Sequence, residues 1–208
     1  MKVLIACEFS GIVRDAFIAK GHIAYSCDLL PSERPGPHYQ GDVFDILDGY
    51  YPGHGGSPYF WDLMIFHWPC TYMLLSGVRW FTTIPKKPNP KKLYGKARYQ
   101  QMVKDANTFK YLLDCPVPKV CGENPTMCGY AQDIIKTRWA QHIQPWQFGH
   151  GETKATYLWL KGLPPLAPTN IVAGREHRIH KMAPGPEREK ERSRTYQGIA
   201  TAMAEQWG

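Results

Sequence analysis

Apolar residues in this chain fall into short, nearly unbroken runs that alternate with stretches of helical spacing. Lys2 to Cys7 is the first run and predicts a buried strand. A turn at Phe9-Ser10-Gly11 follows, then a helix over about Val13 to Lys20 that stops at Gly21. Ile23 to Cys27 predicts a second strand with Asp28 at its carboxyl end, and Gly41-Asp42-Val43-Phe44-Asp45 the end of a further short element. Tyr50 to Phe60 reads as a Gly/Pro/Tyr loop, after which Asp62 to Phe66 predicts another buried strand. The prolines from Pro85 to Pro90 exclude regular structure there. From Ala97 to Leu113 the positions Met102, Ala106, Phe109, Leu112 and Leu113 recur at the period of an amphipathic helix. Val117 to Cys121 predicts a short strand leading into Glu123, Gln132 to Trp139 a helix, and Thr156 to Leu160 a strand with bulky residues on both faces. Thr195 to Trp207 predicts a closing helix.

Strand and helix in this alternation predict an α/β fold, a mostly parallel sheet flanked by helices. Ligands of such sheets sit beyond the carboxyl ends of the strands. Asp28, Asp42, Cys70 and Glu123 all follow predicted strands, and that shared placement groups them into one site. Residues 162–192 are rich in proline and charge, so the expected organisation is a catalytic unit over residues 1–161 with residues 162–208 packing on it.

Composition narrows the class. The 208 residues suffice for one domain, and 43% hydrophobic with 21% charged residues is an ordinary globular balance. The first apolar run breaks at Glu8, and no later stretch approaches the ~18 to 20 apolar residues of a membrane span. A cytoplasmic location is the expectation. The six cysteines contain no Cys-x-x-Cys pair and read as reduced thiols, and no ligand pair sits at the spacing of a metal site.

The net charge is +7, and much of it is local. Arg79, Lys86, Lys87, Lys91, Lys92, Lys96 and Arg98 occur with no acid among them, interleaved with Trp80, Phe81, Tyr94 and Tyr99. A solvated loop is the plain alternative. Cations with aromatics suit a polyanion that carries stackable bases.

The candidate chemistry lies in Trp68-Pro69-Cys70 and Gly122-Glu123-Asn124-Pro125. A cysteine held behind a proline can add as a thiolate to a heteroaromatic ring, while a carboxyl neutralises the charge that forms. That role asks for a glutamate whose pKa is raised. Against these stand a buried core cysteine at Cys70, a structural cap at Glu123, turn residues at Asp28 and Asp42, and a solvated Lys154. A Cys/His hydrolase pair with His67 is disfavoured, because the sequence shows no residue to orient the imidazole.

With these residues the chain resembles the cytosine-C5 DNA methyltransferases, from residue 2 to about residue 160 and more weakly in the closing helix. Phe9-Ser10-Gly11 resembles the turn that lies against the cofactor, Asp28 the acid on its ribose, and Gly41-Asp42-Val43 the segment whose aspartate binds adenine. Asp62 to Gly77 resembles the nucleophile segment, with Pro69-Cys70 at its Pro-Cys and Ser76-Gly77 at the same spacing. Glu123-Asn124 matches the Glu-Asn pair, Arg79 to Lys96 the loop that closes over DNA, with Arg98 opening the next helix, and Tyr196 to Met203 the terminal cofactor segment. Three departures stand out. Val13 and Arg14 replace glycines, and Gly151-Glu152-Thr153-Lys154-Ala155-Thr156 replaces an Arg-x-Arg strand, with Lys154 in place of the first arginine. The stretch between Leu160 and the closing helix leaves no room for a large recognition domain.

The resemblance implies a Rossmann-like methyltransferase domain that uses S-adenosylmethionine or a close sulfonium analogue. It implies catalytic roles for Cys70, Glu123, Asn124 and Lys154, and cofactor contacts from Phe9, Ser10, Gly11, Asp28, Asp42 and Pro69. DNA is the implied partner, single-stranded or read with relaxed sequence requirement. The alternatives are C5 modification of a pyrimidine nucleotide or RNA, a modified sulfonium donor, and a DNA-binding relative without catalysis.

Overall fold

The apolar runs become the strands of one sheet. The computed structural model describes residues 1–48, 60–183, 185 and 187–208, so most of the loop expected from Tyr50 to Phe60 lies outside the described residues. Lys2–Ala6 (β1), Ile23–Asp28 (β2), His38–Gln40 (β3), Leu63–Phe66 (β4), Lys119–Asn124 (β5), Gln141–Ile143 (β6) and Thr156–Lys161 (β7) pair in the order β3-β2-β1-β4-β5-β7-β6. The first five strands of that order are parallel; β7 runs antiparallel to both β5 and β6. The helices are Ile12–Ala19 (α1), Gly95–Asp114 (α2), Gly129–Ile135 (α3), Arg178–Lys181 (α4), Arg188–Ser193 (α5) and Gln197–Trp207 (α6).

Alternate strand residues feed two cores. Leu4, Ala6, Met64, Phe66, Val120 and Trp159 pack with Met102, Phe109 and Leu112 of α2 and with Ala131 and Ile135 of α3. Val3, Ile5, Leu63, Ile65, Cys121 and Leu158 pack with Val13 and Phe17 of α1 and with Ala200, Met203 and Trp207 of α6. A strand buried on both faces shows no polar alternation, which is why these runs read as unbroken. The order β3-β2-β1-β4-β5 is that of a doubly wound sheet, and its direction of winding reverses between β1 and β4. The crevice of such a fold opens there, where the chain leaves β1 through Cys7 to Gly11 and β4 through His67 to Cys70.

Several boundaries differ from the sequence expectation. β5 extends through Asn124, so Glu123 and Asn124 are ladder residues opposite Leu158 and Tyr157 and do not follow the strand. α3 ends at Ile135 because Lys136 turns left-handed (φ 64°), which frees the chain to enter β6. β3 and β6 were not expected as strands. Both are three-residue edge strands with polar composition.

Arg14, on the first turn of α1, is fully buried. Its guanidinium donates to Ser26 Oγ and Ser32 Oγ at 3.1 Å each and to the Pro35 carbonyl at 3.0 Å, and pairs with Asp15 at 2.8 Å. It occupies the space above Gly11 (φ 71°) and Gly36 (φ 139°), where a Cβ would come within 2.6 and 2.9 Å of it. The glycines are therefore required twice, by backbone conformation and by this contact. Arg14 pins the chain between β2 and β3. Arg14→Leu should cost roughly 2 to 4 kcal/mol in urea denaturation, since buried acceptors lose their donor. A loss under about 1 kcal/mol would show that the connection holds itself.

Candidate active site

The register of β4 and β5 sets Phe66 opposite Gly122. A Cβ at Gly122 would lie 2.6 Å from the Phe66 ring and 2.8 Å from the Phe109 ring, so only glycine lets the strands and α2 pack this closely. One residue further, His67 Nδ1 lies 3.0 Å from Glu123 Oε2, with the two side chains only 10% and 14% exposed. His67 Nε2 is buried and without a partner among the described residues. Asn124 Nδ2 donates to the Trp68 carbonyl at 3.1 Å, which fastens the end of β5 to the chain just before Cys70.

The charges at this corner are coupled. Burial would raise the Glu123 pKa, but the hydrogen bond from His67 and the charges of His67 and Lys154 outweigh it and hold the carboxyl below its ordinary range. This departs from the raised pKa that a neutral donor requires. Burial, and after it the Glu123 charge, push the Cys70 thiol up to about 11, against the pull of Lys154 and Arg192. Cys70 is therefore a thiol at rest and not the thiolate that adds to a ring. Burial lowers the Lys154 pKa while Glu123 and Cys70 act to raise it. Its Nζ donates to the Arg194 carbonyl at 3.0 Å, so Lys154 is held by the segment after α5 and is not a solvated lysine. Arg194 itself forks onto Glu33 at 2.6 and 2.9 Å. The segment after α5 thus reaches across to the chain that follows β2.

The β1 and β2 side holds the second group of residues. Glu8, buried, accepts from Ser10 Oγ at 2.9 Å and from the Val13 amide at 2.8 Å, so it caps α1. Ser10 turns inward onto this carboxylate, and its hydroxyl oxygen accepts from the Ile12 amide at 3.3 Å. Phe9 is buried, and Gly11 takes the left-handed turn that starts the helix. Asp28 Oδ1 accepts from the Leu30 amide at 2.9 Å; burial raises its pKa, against the charges of His38 and His67. Asp42 caps the short turn Val43–Asp45, accepting from the Phe44 amide at 3.1 Å. Cys7 has φ 58°, and its thiol pKa is pushed far up by burial and by Asp28, Cys27 and Asp42, which places those groups together. Pro69 is exposed on the strand-to-loop exit. His67 links the halves, since its charge acts on both Asp28 and Glu123.

Glu8 and His67 were not among the expected site residues. Glu8 carries a signal, an acid directly before a glycine turn and a helix. His67 carries none, because its orienting carboxylate lies 56 positions along the chain.

The basic stretch divides. Arg79, Lys86, Lys87, Lys91, Lys92 and Lys96 are exposed, and Lys92 lies 3.5 Å from Glu189. Arg98 is buried, donates to the Thr71 carbonyl at 2.9 Å and stands 4.9 Å over the Tyr72 ring. Its expected role against phosphate is thereby corrected: it holds the segment after Cys70 from inside.

No family model matches the chain, and no curated protein does. Among solved structures it is similar to a protein designated a DNA modification methyltransferase encoded within a prophage (E. coli), at 12% identity and a TM-score of 0.48. The match covers 83% of this chain and 52% of that one, so the chain spans about half the length of that protein. At that identity and score the likeness lends no weight to an assignment of activity.

The coupling of Cys70 to Glu123 has a direct readout. Removing the carboxylate charge in Glu123→Gln should lower the Cys70 pKa from about 11, so iodoacetamide should alkylate Cys70 several-fold faster at pH 8. Peptide mass spectrometry across pH checks this; equal rates in the two proteins would show that the charges are not coupled.

Proposed function

We propose that the protein transfers a methyl group from S-adenosylmethionine to C5 of cytosine in DNA through a covalent bond between Cys70 and the base. One observation carries this reading. At the reversal of the sheet a thiol lies under the charge of a buried carboxylate–imidazole pair, and the same imidazole acts on Asp28 at the end of β2, on a side whose helix start is already occupied by a carboxylate. Dinucleotide sites offer phosphate the free amides of a helix N-terminus. Here Glu8 takes the Val13 amide at 2.8 Å and adds negative charge. A cationic sulfonium nucleoside fits that environment and a phosphate does not. Asp28 stands at the end of β2, the place from which a carboxylate holds ribose hydroxyls. Phe9, Gly11, Asp28, Asp42 and Pro69 would hold the cofactor, with Ser10 contributing through Glu8. When bound, S-adenosylmethionine supplies an electrophilic methyl group.

The protein's own residues then have these roles. Cys70 sulfur bonds to C6 of the ring as its S–H bond breaks, and the proton passes to the Glu123–His67 pair, which rests as a carboxylate held by an imidazole N–H. The pair delivers a proton to N3, where negative charge would otherwise collect. C5 thereby becomes nucleophilic and takes the methyl group, whose donor leaves as a neutral thioether; the C5 proton then goes to solvent, the S–C6 bond breaks, and the N3 proton returns through the pair to the Cys70 sulfur. Lys154 offsets the negative charge on Glu123 and on the sulfur. Asn124 positions the Cys70 segment through the Trp68 carbonyl. A relaxed sequence requirement is part of this reading, since the described residues between β7 and α6 form only the short helices α4 and α5. A pyrimidine nucleotide or RNA would react through the same residues, and analysis of the product separates them.

Incubation with S-adenosylmethionine and DNA, then digestion to nucleosides, should yield deoxycytidine heavier by one methyl group. Cys70→Ser should lower the yield by more than about a hundredfold and abolish the covalent adduct with 5-fluorocytosine DNA. Retention of activity would remove Cys70 from the chemistry. Asp28→Asn should weaken S-adenosylmethionine by ~1 to 3 kcal/mol in calorimetry, the scale of a hydrogen bond to a charged group. Unchanged affinity would place the cofactor elsewhere.

A further inference from the structure

Three aromatic rings meet on the surface beside the basic stretch. Phe81, buried at the end of the turn Leu75–Phe81, has its ring centroid 5.6 Å from that of Tyr99 and 6.0 Å from that of Tyr130. The two tyrosines are 5.9 Å apart, edge to face, and remain 40% and 52% exposed. They come from different helices, Tyr99 from α2 and Tyr130 from α3. Next to them Trp80 lies 5.9 Å from Tyr94, with the Arg79 guanidinium 4.4 Å over its ring. Lys86, Lys87, Lys91 and Lys96 are exposed along the same stretch.

This surface is built into the candidate active site. Arg98, the neighbour of Tyr99, holds the Thr71 carbonyl at 2.9 Å. Leu74 bridges to Met127, and the Cys128 amide donates to the Met73 carbonyl at 2.7 Å. The segments that follow Cys70 and Asn124 are thus fastened to each other and to the helices carrying the tyrosines.

Cations alone would serve a duplex, whose phosphates are outside and whose base faces are covered by their neighbours. Exposed tyrosines on a rigid base, among cations, offer a duplex no partner for their rings. Unpaired bases do present such faces, and they stack on aromatic side chains whatever their sequence. We propose that Tyr99 and Tyr130 form a stacking platform for unpaired bases next to the one held at Cys70, so that the preferred substrate is single-stranded DNA. This rests on the reading that the base at Cys70 belongs to a nucleic acid. It also removes the cost of flipping the target base from a duplex.

The test uses fluorescence anisotropy without cofactor, with one dye-labelled oligonucleotide measured single-stranded and as its duplex at the same salt. The wild-type chain should favour the single strand. Tyr99→Ala/Tyr130→Ala should weaken single-strand binding by about tenfold for each ring lost and leave duplex binding nearly unchanged. Tyr99→Phe/Tyr130→Phe should retain single-strand binding, because the rings remain. Equal losses for both forms, no loss, or a phenylalanine variant as weak as the alanine one would each overturn the platform. Should the double alanine variant fail to fold by circular dichroism, Tyr130→Ala at the more exposed position gives the same comparison. The reaction is read separately, by 5-fluorocytosine trapping at Cys70: a single-strand preference that depends on the rings supports the platform even where trapping fails and the proposed chemistry falls.

Discussion

The candidate site depends on one strand register. Phe66 faces Gly122, and the missing Cβ lets the Phe66 and Phe109 rings close over that position. The next residues of β4 and β5 then bring the His67 ring and the Glu123 carboxylate together at the crevice. A slip of one residue would send Glu123 to the opposite face of the sheet. The antiparallel course of β7 completes the arrangement. Its first residues lie at the edge where the parallel strands end, so Lys154, just before it, acts on Glu123 and on Cys70. Side chains from three distant stretches of sequence are thereby brought together by backbone pairing.

Charge inside the molecule follows the same geometry. Arg14 and Arg98 are buried and donate mainly to loop carbonyls and hydroxyls. One fixes the chain between β2 and β3, the other the chain after Cys70. Both brace the walls of the crevice, and their planar forks suit several acceptors at once. Lys154 differs, since its charge falls on Glu123 and Cys70.

Much of this was legible in the sequence. β1, β2, β4 and β5 are doubly covered strands, so their composition alone marks them, and the glycine turns and prolines mark their ends. The placement of Asp28, Asp42 and Cys70 after strands was read from strand ends in a parallel sheet, whereas Glu123, grouped with them on the same ground, lies within β5. The edge strands β3 and β6 were not legible, because a three-residue polar segment becomes a strand only through its partner. Arg98 read as a surface cation because its acceptors, the carbonyls of Thr71 and Leu93, leave no trace in side-chain identity. His67 was set aside for want of an orienting carboxylate, which the fold supplies from β5. The protonation states at rest were likewise out of reach, since burial and three neighbouring charges decide them together.

The packing of α6 on α1 has a consequence for how the molecule comes into being. These helices cover one face of β1 and β4 together, and Lys20 on one side meets Glu205 on the other across 185 positions of sequence. A growing polypeptide makes Val3, Ile5, Leu63 and Ile65 early and their cover of Ala200, Met203 and Trp207 late. During synthesis that face has α1 but not α6 to cover it, and its core is complete only when α6 has emerged. Contacts of such long sequence separation make for slow folding, and they leave the emerging chain exposed to aggregation through this face.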